Sequence, residues 1–181
     1  MAIKNLNDKF MHDLGDIYDA EHQFLKGQQE MLENATDPRL QQMITTHIQQ
    51  SGQQVRNLEQ VFSILGTQPQ RVMCDGAKGI VSEGQKGLRE TAGNNSLRDV
   101  AIAGAADRVE HYEVAAYRSL IAGARLMGQQ NILNLLQQNL DQEEQTAQLI
   151  ESSTPQLLQT AMKGEGMQMS QSSSSQQYPT T

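Results

Sequence analysis

The sequence predicts an all-α protein, an up-down four-helix bundle with a long crossover connection that contains a short extra helix. Apolar residues recur at helical spacing over four long segments, and no segment alternates as a strand does. Hydrophobic residues make up 37% of the 181 residues but aromatic residues only 4%, which favours packed helices with an aliphatic core. Two of the joints between the long segments are short, so each of those pairs is expected to be antiparallel.

The first two predicted helices are bounded by capping and stop signals. The first covers about 4–33 and ends at "NATDP", where Thr36 or Asp37 can cap the second helix and Pro38 occupies its first turn. The second helix runs to about Leu65 and stops at "GTQP", a glycine followed by a proline.

The crossover covers residues 70–93 and contains four glycines in "CDGAKGIVSEGQKGLRE". Because glycine weakens a helix, we expect a long connection with its own helical turn. The third long helix is predicted over about 96–127, with Ser96 as its cap, and the fourth over about 129–152, ending at "SSTP".

The predicted domain organisation is a helical bundle over residues 1–162 and a tail over residues 163–181. The tail is rich in Gln and Ser and has almost nothing to bury, so it is predicted to be disordered.

Charge and composition argue against several classes of protein. The net charge is −7 and no basic stripe is visible, so a nucleic-acid partner is not expected. Cys74 is the only cysteine, which excludes an internal disulfide and a thiolate zinc cluster. The first residues lack the pattern of a signal peptide, and no stretch has the roughly 18 apolar residues of a membrane span. We therefore expect a cytoplasmic protein with no membrane partner.

Two close helix pairs joined by a crossover form the ferritin-like arrangement, whose metal sites are built from carboxylates that point into the bundle. In this chain acidic residues interrupt the apolar stripes of three helices. They are Glu21 in the first helix, Asp107, Glu110 and Glu113 in the third, and the pair Glu143 and Glu144 in the last.

Each interruption falls near the middle of its helix, and the midpoints of paired antiparallel helices lie at one level of a bundle. The acids are therefore predicted to converge. Since a buried carboxylate without a partner is costly, several of them together need cations. A site rich in oxygen and poor in imidazole suits Fe or Mn better than Zn or Cu.

The second helix presents amides where this pattern demands acids. Its inner face is predicted to carry His47, Gln50 and Gln54. A Gln carbonyl oxygen is a weaker ligand than a carboxylate for a hard cation. His47 is either a ligand or a hydrogen-bonded core residue.

Longer motifs carry a resemblance to a known family. They are "DIYDAEHQ" at 16–23, "HIQQSGQQVRNLEQVFSILGTQP" at 47–69, "CDGAKGIVSEG" at 74–84, "RVEHYEVAAY" at 108–117 and "LLQQNLDQEEQTAQLI" at 135–150. With these motifs the chain resembles, over residues 4–155, the YciE/YciF-type family of bacterial stress-associated, ferritin-like proteins.

The resemblance implies a rubrerythrin-like bundle, commonly dimeric, with a carboxylate-rich dinuclear metal site. The metal-binding positions that it implies are Glu21, Gln50, Glu110, Glu113, Glu143 and Glu144. Either Glu143 or Glu144 is the ligand of the last helix. Gln50 stands where the family pattern has an acid, and the last helix lacks a His after its Glu pair, having Thr146 and Ala147 instead, so both departures weaken the expected site.

Two functions follow as hypotheses. In the first, the chain is a homodimeric stress-response protein that holds two divalent ions, Fe in preference to Mn, and reacts with peroxide or oxygen. In the alternative, it is a non-enzymatic stress or interaction protein whose metal site is degenerate because Gln50 replaces an acid. No catalytic residue is predicted, and whether the chain is an enzyme stays open.

Overall fold

Five α-helices make up the described part of the chain. The computed structural model describes the backbone of residues 3–174 and the side chains of residues 3–164, and it contains no strand over that range. The helices are α1 (Leu6–Asn34), α2 (Pro38–Ile64), α3 (Asp75–Glu90), α4 (Asn95–Leu126) and α5 (Gln130–Ser174).

The long helices α1, α2, α5 and α4 form a ring in that order, and each is antiparallel to its neighbours. Phe10 near the start of α1 packs against Gly123 near the end of α4. Asn57 of α2 donates to Asn139 of α5 across 2.7 Å. The crossover therefore runs from one end of the bundle to the other, with α3 packed against α1 and α4. The predicted ferritin-like four-helix bundle is confirmed.

Side-chain caps set where the helices begin. Asp37 caps α2, as one of the two predicted alternatives has it, and accepts from the backbone N–H groups of Arg39 and Leu40. The predicted Ser96 cap of α4 is wrong. Asn94 is the cap, because its extended backbone lets the side chain accept from the N–H of Leu97 at 3.1 Å.

Asp99 ties the joint between α1 and α2 to α4. Its buried carboxylate accepts from the backbone N–H of Thr36 at 2.7 Å, from the Thr36 hydroxyl at 2.6 Å and from the N–H of Asp37 at 2.9 Å. These bonds fix the α1–α2 pair relative to the α4–α5 pair at one end of the bundle.

Helix α3 is longer than the predicted helical turn, with 16 residues. Its glycines let it pack closely instead of breaking it. A Cβ atom on Gly76 would lie 2.8 Å from the ring of Tyr112, and one on Gly84 would lie 3.3 Å from Ala105. Packing against α4 thus outweighs the low helix propensity of glycine.

Helix α5 passes through the predicted stop at 152, and that prediction is wrong. Pro155 lies inside the helix. The hydroxyls of Ser153 and Thr154 both donate to the carbonyl of Ile150, and Leu157 is buried against the apolar residues of α2 and α4. Burial of this face stabilises the helix beyond the proline.

The predicted disorder of residues 163–181 stays a prediction. Helix α5 continues through 163–174, and residues 175–181 lie outside the described residues.

Two apolar clusters fill the bundle, one toward each end. The lower cluster, around Leu14, Leu58 and Leu136, occupies the end where α1 begins. The upper cluster, around Leu40 and Ile102, lies at the end where α1 meets α2. Polar side chains separate the two clusters. Among the described helices, none has a segment long and apolar enough to cross a membrane.

Candidate metal centre

Four glutamates meet between the two apolar clusters. Glu21 of α1, Glu110 and Glu113 of α4, and Glu143 of α5 are each at most 1% exposed. One carboxylate oxygen from each of Glu110, Glu113 and Glu143, together with a ring nitrogen of His47, all lie within 4.8 Å of one another. The acids therefore converge at one level of the bundle.

His47 of α2 presents its Nε2 to these acids. Its Nδ1 lies 3.3 Å from the Thr146 hydroxyl, which already donates to the carbonyl of Gln142, and 3.4 Å from Oε1 of Gln50. Both neighbours are acceptors toward the ring, so in the neutral imidazole Nδ1 carries the hydrogen and Nε2 does not. Nε2 lies 3.1 Å from Oε2 of Glu110 and 3.7 Å from Oε2 of Glu143.

Most of the carboxylate oxygens at the centre have no hydrogen-bond partner in the described structure. Six of them are buried and unpartnered: Oε2 of Glu21, Oε2 of Glu110, and both oxygens of Glu113 and of Glu143. Native proteins leave few buried polar atoms unpaired, so six in one cluster need a specific explanation.

Burial raises the pKa of every carboxyl group in the cluster, because water no longer solvates the charge. Burial and then the charge of Glu143 raise the pKa of Glu21 to about 8. Burial also raises the pKa of Glu110 to about 8, with the charge of Glu21 adding to it. The pKa values of Glu113 and Glu143 rise well above their ordinary value for the same reason, with the neighbouring carboxylates contributing.

A hydrogen-bonded chain supports Glu21 from the lower side. The Tyr117 hydroxyl donates to Oε1 of Glu21 and accepts from Nδ2 of Asn139 at 2.9 Å. Asn139 accepts in turn from Asn57 at 2.7 Å, and Asn57 accepts from Gln53 at 2.9 Å. Every donor points toward Glu21, so the chain stabilises the ionised carboxylate and fixes its orientation.

The structure places Glu144 at the surface, where its carboxylate pairs with Arg118 at 2.8 Å. Glu143 is the residue of this pair that enters the cluster.

On α2 the structure differs from the sequence-based expectation at Gln50. That side chain is partly exposed and contacts His47 from the Nδ1 side, away from the acids. Gln54 is fully buried instead, with neither atom of its amide hydrogen-bonded. The inner face of α2 thus passes through residues 47, 51 and 54. Helical periodicity permits this face as well as the predicted one through 47, 50 and 54.

A second cluster of potential ligands lies at the surface. It consists of Asp107, His111 and Glu151, which are partly or fully exposed. Asp107, predicted on sequence to face inward, therefore lies beside the buried centre instead of in it. Exposed groups of this kind bind solvent and do not need a cation.

Comparison with known proteins identifies the family. A family model described as a domain of unknown function, DUF892, matches residues 5–163. The chain belongs to the DUF892 family. Protein YciF of Escherichia coli K12 is 30% identical over 147 residues, which cover 81% of this chain and 88% of YciF. The predicted resemblance to the YciF type is therefore confirmed.

Solved structures show that the DUF892 bundle is shared. YcfI of Rhodopseudomonas palustris, described as a putative structural protein, is 36% identical with a TM-score of 0.81 and covers 82% of this chain and 94% of its own. The crystal structure of the Escherichia coli stress protein YciF gives a TM-score of 0.81 at 26% identity. The match covers 87% of this chain and 99% of the YciF chain. A protein from Xanthomonas campestris, 19% identical with a TM-score of 0.71 over 90% and 99% of the chains, shares the fold.

Proposed function

We propose that this chain is a ferritin-like stress-response metalloprotein that binds two divalent cations, iron or manganese, between Glu21, His47, Glu110, Glu113 and Glu143. The observation that carries the proposal is the set of six buried carboxylate oxygens without partners. Four ionised carboxylates carry four negative charges, which two divalent cations balance if His47 is neutral.

The contact between His47 and Glu110 supports the same function. Nε2 and Oε2 are 3.1 Å apart, yet they do not form a hydrogen bond. Two ligands about 2.1 Å from one ion, at about 90° to each other, lie about 3 Å apart. A lone pair and a carboxylate oxygen that face a common point at this distance fit the first coordination shell of a cation.

The proposed ligands are spread along the bundle axis, so the cluster has an upper and a lower end. His47 and Glu110 would hold an ion at the upper end, and Glu21 one at the lower end, with Glu113 and Glu143 between them. Two such ions, when bound, supply Lewis acidity and redox chemistry toward oxygen or peroxide. The protein's own part is to orient Glu21 through Tyr117, to orient His47 through Gln50 and Thr146, and to keep water out.

A second candidate is a non-enzymatic stress or structural protein that has kept the bundle without the metal. The specific observation in its favour is that α2 contributes no carboxylate to the cluster, since its buried residue at that level is Gln54. The acids would then be protonated at neutral pH, in line with their raised pKa values. A homodimer, a cytoplasmic location and a reaction with peroxide or oxygen are further parts of the first proposal.

Metal content after anaerobic loading tests the proposal. We expect two Fe(II) or Mn(II) ions per chain in the natural sequence and a loss of at least one in Glu143→Gln. Glu144→Gln is the matched control, because the neighbouring carboxylate is at the surface and should leave the content unchanged. A protein that stays metal-free, or equal effects of the two substitutions, would favour the non-metal candidate.

A further inference from the structure

An apolar cavity lies directly above the His47–Glu110 end of the acid cluster. Side chains from α1, α2, α4 and α5 line it, it is partly open to solvent, and its walls include Met31, Ile44 and Val109. The centre of a water-sized molecule can move within about 20 Å³ of it. A space of this kind holds roughly one small molecule.

The surface of the cavity is almost entirely apolar. Gln28, His47 and Glu110 belong to its lining, but their unpartnered atoms Nε2, Nε2 and Oε2 are buried and do not face the open space. A charged or strongly hydrated molecule would lose its solvation against the apolar walls without regaining it. The cavity therefore selects a small uncharged molecule and holds it beside His47 and Glu110.

Met43 is the lining residue that reaches the protein surface. It is partly exposed, whereas the other residues that line the cavity are buried. Methionine has a flexible unbranched side chain, so it can move aside without disturbing the helix.

We infer that this cavity is a binding site for dioxygen, reached past Met43. Dioxygen is apolar and diatomic, and it gains contacts on these walls without losing hydrogen bonds. Peroxide has two donors and two acceptor oxygens that the walls leave unmet. The inference deepens the proposed function, since it names the oxidant that reaches the His47–Glu110 end. Binding of dioxygen to the cavity itself needs no metal.

The test uses the metal-free full-length protein with labelled methyl groups, studied by NMR under dioxygen pressure. Paramagnetic dioxygen speeds the relaxation of methyl groups that it contacts. We expect large enhancements for the methyl groups of Ile44, Val109 and Ile150. Leu58 and Leu136 are equally buried in the lower cluster and should show small ones. Equal enhancements in the two groups would overturn the inference.

Two variants localise the site. Ala106→Leu fills the cavity from α4 and should abolish the enhancement at Ile44 and Val109. Ala122→Leu adds the same atoms at an exposed position of α4 and should leave it unchanged. If Ala106→Leu does not fold, Met43→Ala serves instead, because it widens the entry and should increase the enhancement. An enhancement that none of these substitutions changes would place dioxygen elsewhere.

The role as oxidant has a separate readout. In iron-loaded protein Ala106→Leu should keep the Fe(II) content and slow oxidation by dioxygen several-fold. An unchanged rate would overturn the delivery route. Enhancements in a protein that binds no metal would leave the cavity site standing and remove the proposed metal function, so the two failures are distinguishable.

Discussion

His47 and Glu110 face each other, with Nε2 of the ring 3.1 Å from Oε2 of the carboxylate. Neither atom is hydrogen-bonded, and both side chains are buried. Two electron-rich atoms at this distance repel each other unless a proton or a cation lies between them or beside them. Protonation of the acids and binding of a cation would each relieve this repulsion, with different effects on stability.

Glu110→Gln should raise the melting temperature of the metal-free protein or leave it unchanged, because it removes a carboxyl group whose charge is poorly solvated. It should also abolish the stabilisation that Fe(II) or Mn(II) gives to the natural sequence. Thermal unfolding with chelator and with metal measures both effects. Glu151→Gln, which alters an exposed acid, is the control. A metal-induced shift that survives Glu110→Gln would contradict the proposed ligand role.

The metal-free protein should become less stable as the pH rises from about 5 to about 8. Glu21 and Glu110 have pKa values near 8 in the folded protein and ordinary values near 4.5 when it unfolds. The folded state therefore binds more protons in this window. The stability that protonation contributes is complete below the unfolded pKa and is lost as the pH rises through the folded pKa.

Bound metal should weaken or reverse this trend, because cations replace the protons on the carboxylates. Unfolding curves across the pH range, with chelator and then with Mn(II), check the prediction. A metal-free protein that gains stability between pH 5 and 8 would show that the acids are ionised and satisfied without a cation.

Tyr117→Phe should cost about 1–3 kcal/mol of stability, since it removes an acceptor from buried Asn139 and a donor from Glu21. It should also raise the pKa of Glu21 further, because the hydroxyl donates to the ionised carboxylate. Chemical denaturation measures the loss. Tyr18→Phe is the comparison, since that hydroxyl donates to the partly exposed Glu59 and should matter less. Equal losses would argue against a special role for the chain that ends at Glu21.

Asp99→Ala should destabilise the protein by about 2 kcal/mol or more, because three donors of Thr36 and Asp37 lose a buried carboxylate. Asp75→Ala removes an exposed acid from the first turn of α3 and should cost only about 0.5 kcal/mol of stability. Urea unfolding of both variants checks the difference. A small effect at Asp99 would mean that the joint does not hold the two helix pairs together.

The sequence predicts the architecture because apolar periodicity, short joints and a long crossover all agree. Its failures are local. The propensities of Gly76 and Pro155 favour a break, but tertiary packing against Tyr112 and burial of Leu157 keep α3 and α5 helical. Such contacts join residues that are distant in sequence, so propensity cannot register them.

The sequence predicts which helices contribute acids to the candidate centre, but it does not predict which of two adjacent residues points inward. Adjacent residues point about 100° apart, so a small change of phase decides whether Glu143 or Glu144 points into the bundle. The sequence leaves His47 open as a ligand or a core residue, and the distance of 3.1 Å between its Nε2 and Oε2 of Glu110 favours the ligand.

Anomalous diffraction from crystals soaked with Mn(II) or Fe(II) tests the central claim most directly. We predict two peaks inside the bundle, roughly 3.5–4 Å apart, among Glu21, His47, Glu110, Glu113 and Glu143. The surface cluster of Asp107, His111 and Glu151 provides an internal comparison within the same crystal. A bundle interior without anomalous density, or density at that surface cluster alone, would contradict the account.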